Sequence, residues 1–157
     1  MKPLLIAPLA PGSPWITEIA RLQFAHWGAL TTQPSEEAYA AFLGEAAASP
    51  DLPRTFVARR GETLLGSVNV VRNDMTIRPN LTPWLGQLFV LPEARGTSVG
   101  ERLCAAAAGH AAALGYASLY LFTSGTLPSY YRERGWSDVE EVEYLGRDRT
   151  VMRRATA

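Results

Sequence analysis

The stretch Leu88–Leu103, LFVLPEARGTSVGERL, constrains this chain more than any other. An apolar run stops at Pro92, a short segment with two glycines follows, and a helical pattern opens near Ser98. A helix that starts there leaves its first N–H groups without intrahelical partners. Its positive dipole end then lies at the C-terminal end of a buried strand, which makes an anion site. Gly96 and Gly100 let a ligand approach the backbone, and Arg95 adds a fixed positive charge. The residues alone leave two readings, a phosphate site or a plain strand-to-helix turn with glycine for steric ease. A P-loop is excluded because no Lys-Ser/Thr follows the second glycine, and a dinucleotide fingerprint because G-x-G-x-x-G is absent.

The flanking patterns set the fold class. LLIAPL reads as a first strand. GSPWITEIARLQFAHWG reads as a helix capped by Ser13, with Pro14 in its first turn and Gly28 at its end. PSEEAYAAFLGEAAAS predicts a second helix capped by Ser35. The period then changes to two: RTFVARR, a turn at Gly61-Glu62 and TLLGSVNVVRND predict an antiparallel hairpin. WLGQLFVL is a largely apolar strand, SVGERLCAAAAGHAAALG a long helix, and YASLYLFT another buried strand. LPSYYRERG predicts a short helix, and WSDVEEVEYLG with RTVMRRA a last hairpin around Gly146-Arg147-Asp148. The order is β-α-α-β-β-β-α-β-α-β-β, an α/β (α+β) chain with a mixed central sheet. Its crossover unit, strand 84–91, helix 98–114 and strand 117–123, is expected to be right-handed with parallel strands.

Composition narrows the partners. A length of 157 residues with 47% hydrophobic content fits one domain, 1–157, with a core of its own. Formal charge is zero, so neither a nucleic-acid backbone nor an anionic membrane is favoured as partner. Cys104 is the only cysteine, which excludes an intramolecular disulfide and a cysteine metal cage; no metal is expected. The N-terminal MKPLLIAPLAPGSP is a poor signal peptide, and no apolar run reaches the length of a bilayer span. A cytoplasmic location is the resulting expectation.

VLPEARGTSVGERL resembles motif A of the GNAT acyltransferase superfamily, Arg/Gln-x-x-Gly-x-Gly/Ala after a strand ending in Val-x-Pro. Its core here is Arg95-Gly96-Thr97-Ser98-Val99-Gly100. YYRERGW resembles the superfamily's later Tyr-x-x-x-Gly-Phe/Trp element, and the element order agrees over nearly the whole chain. LTPWL and HWG further resemble a bacterial subgroup of undefined substrate. Ser98 departs from the pattern, which usually has glycine there. If that position requires a positive φ, serine costs about 1 kcal/mol.

The resemblance implies an N-acetyltransferase that uses acetyl-CoA as co-substrate and acetylates a primary amine on a small molecule or peptide by direct attack. Backbone groups of Leu88, Phe89 and Val90 would face the pantetheine and thioester. The backbone of Arg95, Gly96, Thr97, Ser98, Val99 and Gly100 would hold the pyrophosphate, and Ser124 stands where relatives often carry a pantetheine-contacting asparagine. Tyr131 is implied as hydrogen-bond donor to the leaving thiolate; the spacing of Tyr130 to Gly135 does not fit. A homodimer is compatible with the resemblance, although no sequence feature points to one.

The residues leave the base open among Asp74 and His26, directly or through water, since Gln87 cannot accept a proton and Glu93 belongs to the turn. His110 and Cys104 read as structural. Trp27 and Trp84 are candidates for the acceptor pocket, with core packing as the competing reading of both. A CoA-binding module without turnover and a nucleotide-phosphate binder unrelated to CoA are the rival functions.

Overall fold

The computed structural model describes residues 2–28 and 33–157. Its elements run β1 (Leu4–Pro8), α1 (Ile16–Trp27), α2 (Glu36–Ala47), β2 (Arg54–Arg60), β3 (Thr63–Val71) and β4 (Trp84–Val90). They continue with α3 (Val99–Ala113), β5 (Ser118–Thr123), α4 (Leu127–Arg132), β6 (Ser137–Tyr144) and β7 (Arg147–Ala155). This is the element order expected from the sequence. Boundaries differ: β3 ends at Val71, the last hairpin turns at Leu145-Gly146 with Arg147 and Asp148 already in β7, and the first helix starts late. Helix α1 begins at Ile16, and Ser13 does not cap it; the Ser13 Oγ instead accepts the Trp15 N–H at 3.2 Å, forming a turn outside the helix. Ser35 does cap α2, accepting the Ala38 N–H at 3.1 Å.

Among the described residues seven strands form one sheet in the order β1-β2-β3-β4-β5-β7-β6. Neighbours are antiparallel except β4 and β5, which are parallel. Strand alternation divides the apolar residues between two faces. Phe56, Ala58, Val68, Leu119 and Leu121 join Leu103 and Ala107 of α3 in the larger core. Val57 and Leu64 pack with Ile19 of α1 and Leu43 of α2 on the other side. Farther along that second face, Trp84, Met75, Tyr144 and Val151 form a third cluster.

Strand β4 is irregular on both of its edges. Towards β3, Ser67 pairs with Phe89 and Asn69 with Gly86, so Val68 alone faces both Gln87 and Leu88. Such a bulge interrupts the ladder, and Gln87 within it has a left-handed φ of 50°. Towards β5, the parallel pairing is confined to Trp84 and Tyr120. Beyond that pair the two strands part.

A polar knot inside the apolar layers holds the bulge. Gln23 of α1, fully buried, donates to Ser67 at 3.2 Å, and its Oε1 accepts the Tyr39 hydroxyl of α2 at 2.7 Å. Asn69 of β3 accepts the Thr55 hydroxyl at 2.8 Å and donates to Gln23 at 3.0 Å and to Gln87 at 3.1 Å. Buried polar groups are tolerated here because each has a partner. Asn69→Ala removes the shared partner of several of them, and the expected destabilisation is about 2–4 kcal/mol. Urea unfolding of the two proteins side by side measures it; a loss below about half a kilocalorie would show that the knot holds nothing.

Candidate active site

The end of β4, the turn at 95–98 and the start of α3 meet as the sequence indicates. Within Gly96–Gly100 no N–H makes a backbone hydrogen bond among the described residues, so α3 presents its unpaired donors at the end of the sheet. Arg95 folds back to donate from Nε to the Val90 carbonyl at 3.0 Å, which pins its charge beside β4. Glu101 in the first turn would oppose an anion, but Arg134 pairs with it at 2.9 Å. Thr97 turns its hydroxyl back onto the Ala94 carbonyl.

Ser98 has φ 64°, the left-handed conformation that glycine adopts freely, and its hydroxyl makes no capping bond. Nothing in its side chain offsets the backbone cost. A cavity of about 600 Å³ runs from Arg95, Gly96 and Ser98 along Leu88, Phe89 and Val90 to Tyr131. Mostly apolar and ending on free backbone donors, it suits an extended ligand with a phosphate at one end.

A second cavity of about 310 Å³ opens where β4 and β5 part. Leu88 and Tyr131 line both cavities, as do His26 and Trp27. Ser124 lines only the second, on the β5 side of the gap. A third, of about 340 Å³, lies between α2 and the segment after β3 and is walled by Trp27, Tyr39, Phe42 and Met75. Asp74 and Gln87 line both the second and the third.

Tyr131 is buried within the larger core, and among the described residues its hydroxyl has no hydrogen-bond partner. Burial, with Cys104 and Tyr130 beside it, drives its pKa well above the ordinary value. Tyr130 packs edge-on against Tyr131 and lines the same cavity; the Arg134 guanidinium stacks on its ring at 3.8 Å, and a methyl at Gly100 would approach its hydroxyl at 3.0 Å. The Asp74 carboxylate rests on Gly86, where a methyl would come within 3.3 Å of Oδ2. Burial pushes its pKa up to about 6, and the Gln87 side-chain amide pulls the other way by stabilising the anion. His26 Nδ1 meets the Leu22 carbonyl at 3.0 Å in the last turn of α1, and its ring packs on Phe89.

Trp84 corrects an expectation. It is wholly buried, its indole N–H donates to the Leu81 carbonyl, and it lines none of these cavities. As the first residue of β4 it points into the third cluster against Tyr120 and Phe122. Trp27, by contrast, lines all three cavities. Cys104 is buried with its thiol pushed up to about 12, and His110 meets the Asp51 carbonyl and the edge of Phe56, so both have structural surroundings. The sequence reading missed Arg147 and Arg149, which line the second cavity, and the Gln23–Asn69 knot beneath Gln87. A lone asparagine inside the apolar run TLLGSVNVV was the available sign of the knot.

The profile of the acetyltransferase (GNAT) family matches residues 16–136, and the chain belongs to that family. It is thereby an acyltransferase by family. Solved structures share the fold over nearly their full lengths. The acetyltransferase of the GNAT family from Streptococcus pneumoniae superposes with a TM-score of 0.71 at 19% identity, over 98% of this chain and 99% of that one. An aminoglycoside 6′-N-acetyltransferase complexed with coenzyme A gives 0.73 at 14%, over 98% and 97%. YncA from Salmonella typhimurium with its cofactor acetyl-CoA gives 0.73 at 14%, over 98% and 94%. No curated protein matches the sequence significantly.

Ser98→Gly relieves the left-handed serine and is expected to raise stability by about 1 kcal/mol. At this chain length that amounts to roughly 2–4 °C in Tm. A lower Tm would mean that the hydroxyl supports the turn.

Proposed function

We propose that this chain is a single-domain N-acetyltransferase that moves the acetyl group of acetyl-CoA to a primary amine. One observation carries the reading: the bulged end of β4, parted from β5, runs directly into the free N–H groups of α3. A thioester beside Leu88 and a pyrophosphate on residues 95–100 occupy one continuous cavity on this reading. The co-substrates named for two structural neighbours agree with it.

The co-substrate supplies the thioester carbonyl. An N–C bond forms to it, the C–S bond breaks, and one proton is released overall for each ammonium consumed. The chain's residues divide the rest of the work. Asp74 takes the first proton from the ammonium, since a carboxylate titrating near 6 is ionised at neutral pH yet more basic than an ordinary one. Its place where the second and third cavities meet brings an amine to the opposite side of Leu88 from the α3 turn. A backbone N–H released by the bulge stabilises the developing oxyanion. Tyr131 donates a hydrogen bond to the leaving sulfur. Its raised pKa makes complete proton transfer unfavourable and leaves the hydrogen bond as its contribution. Trp27 offers its ring to the body of the acceptor.

Calorimetry with CoA and thiol release with an amine panel test the reading. Absence of CoA binding at millimolar ligand would overturn it, and binding without thiol release would indicate a CoA-binding module. Tyr131→Phe should lower kcat by more than about tenfold with little change in CoA affinity, because the lost hydroxyl acts mainly as charge develops on sulfur. Tyr130→Phe should be milder.

Asp74 also predicts a pH dependence. A base with a pKa of about 6 makes kcat/KM rise through that pH and level off above it. Asp74→Asn should abolish the limb and cost about 100-fold in kcat/KM. Stability runs the opposite way. The folded carboxyl holds its proton to higher pH than the unfolded one, so Asp74 lowers stability as pH rises from about 4 to about 6. The asparagine variant should therefore have the higher Tm at about pH 7.5, with the gap closing toward about pH 4.

A further inference from the structure

The charges around the acceptor side are lopsided. In the cavity between β4 and β5, Asp74 is the single carboxylate, and it shares the lining with Arg147, Arg149, His26 and Tyr131. Among the described residues of the adjoining cavity Asp74 is again the only acid, with Arg72, Tyr39 and Tyr144 as the other ionisable groups. Arg72 is already paired with Asp51 at 2.9 Å. Arg78, Arg132 and Arg134 likewise have carboxylate partners in Glu140, Asp138 and Glu101. Arg147 and Arg149 have none among the described residues. Arg149 donates from Nε to the Tyr144 carbonyl at 3.1 Å and lies 5.6 Å from the Phe122 ring centre.

The hairpin register explains why local acids leave them unpaired. Tyr144 pairs with Arg147 and Val142 with Arg149, so both arginines share the inward face of β6–β7. Glu143 and Asp148 pair with each other one step out of phase and point to the opposite face. Glu140 shares the inward face but is held by Arg78. Two guanidinium groups therefore face a cavity that the sheet's own carboxylates do not neutralise.

We infer that the acceptor is an amine that also carries an anionic group, its ammonium meeting Asp74 and its carboxylate or phosphate meeting Arg147 and Arg149. Guanidinium groups match both oxyanions, and a polycation would gain one carboxylate while facing two unpaired arginines. Trp27, Phe42 and Met75 in the adjoining cavity accommodate an apolar body on the same molecule. The inference rests on the proposed N-acetyl transfer and specifies its substrate class. It separates this chain from the acceptors in the names of two fold neighbours, an aminoglycoside acetyltransferase and a spermidine acetyltransferase, since both compounds are polycations at neutral pH.

The test is thiol release from acetyl-CoA with matched acceptors: L-phenylalanine against L-phenylalaninamide, O-phosphoethanolamine against ethanolamine, and spermidine. At least one anionic member should exceed its neutral partner by about tenfold or more in kcat/KM, with spermidine poorest. In the Arg147→Gln/Arg149→Gln double variant that preference should fall about tenfold through KM, and the double lysine variant should restore part of it. CoA affinity by calorimetry serves as the folding control for both variants. Preference for spermidine, equal rates across each pair, turnover of neutral acceptors alone, or no turnover of any anionic acceptor while CoA binds would each overturn the inference. A preference indifferent to the arginine charges would do the same. Failure of CoA to bind the wild-type chain would instead overturn the transfer reading, and this inference with it.

Discussion

The site depends on a break in a ladder. A regular β4 would hydrogen-bond to β3 along its whole length and to β5 along most of it, leaving no backbone group for a ligand and no gap to admit one. The extra residue at Gln87 ends that regularity on one side, and the single parallel pair at Trp84 and Tyr120 ends it on the other. Both cavities that meet at Leu88 exist because of these two interruptions.

An interrupted sheet is costly inside a core, and the surroundings of the break show how it is stabilised. Gln87 is held from below by Asn69, which is tied in turn to Gln23 of α1 and Thr55 of β2. Tyr39 of α2 joins the same knot. The helical pair α1–α2 therefore sets the geometry of the irregular strand β4. Asp74 sits beside this arrangement on the Cα surface of Gly86, with the amide of Gln87 at hand. One side chain thus faces both the bulge's support and the candidate base.

Electrostatics divide the site into compartments. At α3 the helix terminus and Arg95 favour an anion, and the one acid in the first turn is neutralised by Arg134. Across Leu88 a single carboxylate faces two unpaired arginines of the last hairpin. Between them the chain places apolar and aromatic groups, among them Tyr131, whose hydroxyl burial makes still harder to ionise. Charge at the two ends and an apolar middle suit a reaction in which a thioester and an amine must meet away from bulk water.

Local sequence determined the elements and the strand-to-helix turn before α3. Periodicity, prolines and glycines act over a few residues, so the element order and the turn before α3 were legible in it, while the left-handed position of Ser98 was indicated only by the resemblance to a motif that usually has glycine there. The resemblance of YYRERGW to the superfamily's later motif singles out Tyr131 over Tyr130; the two rings touch and line one cavity, and Tyr131 alone of the pair also reaches the gap between β4 and β5. Start positions were less secure: Ser13 has the right chemistry for a cap, but the turn at Trp15 delays the helix. Only the tertiary structure decided the fate of Trp84, because a tryptophan at a strand's first position faces whichever layer the sheet packs against. It also decided the bulge at Gln87, since register is a relation between two strands and no property of either one. The same holds for the cavity between β4 and β5. Asp74, Trp27, Arg147 and Arg149 come from segments far apart in the chain, and their common cavity exists only once β4 and β5 have parted.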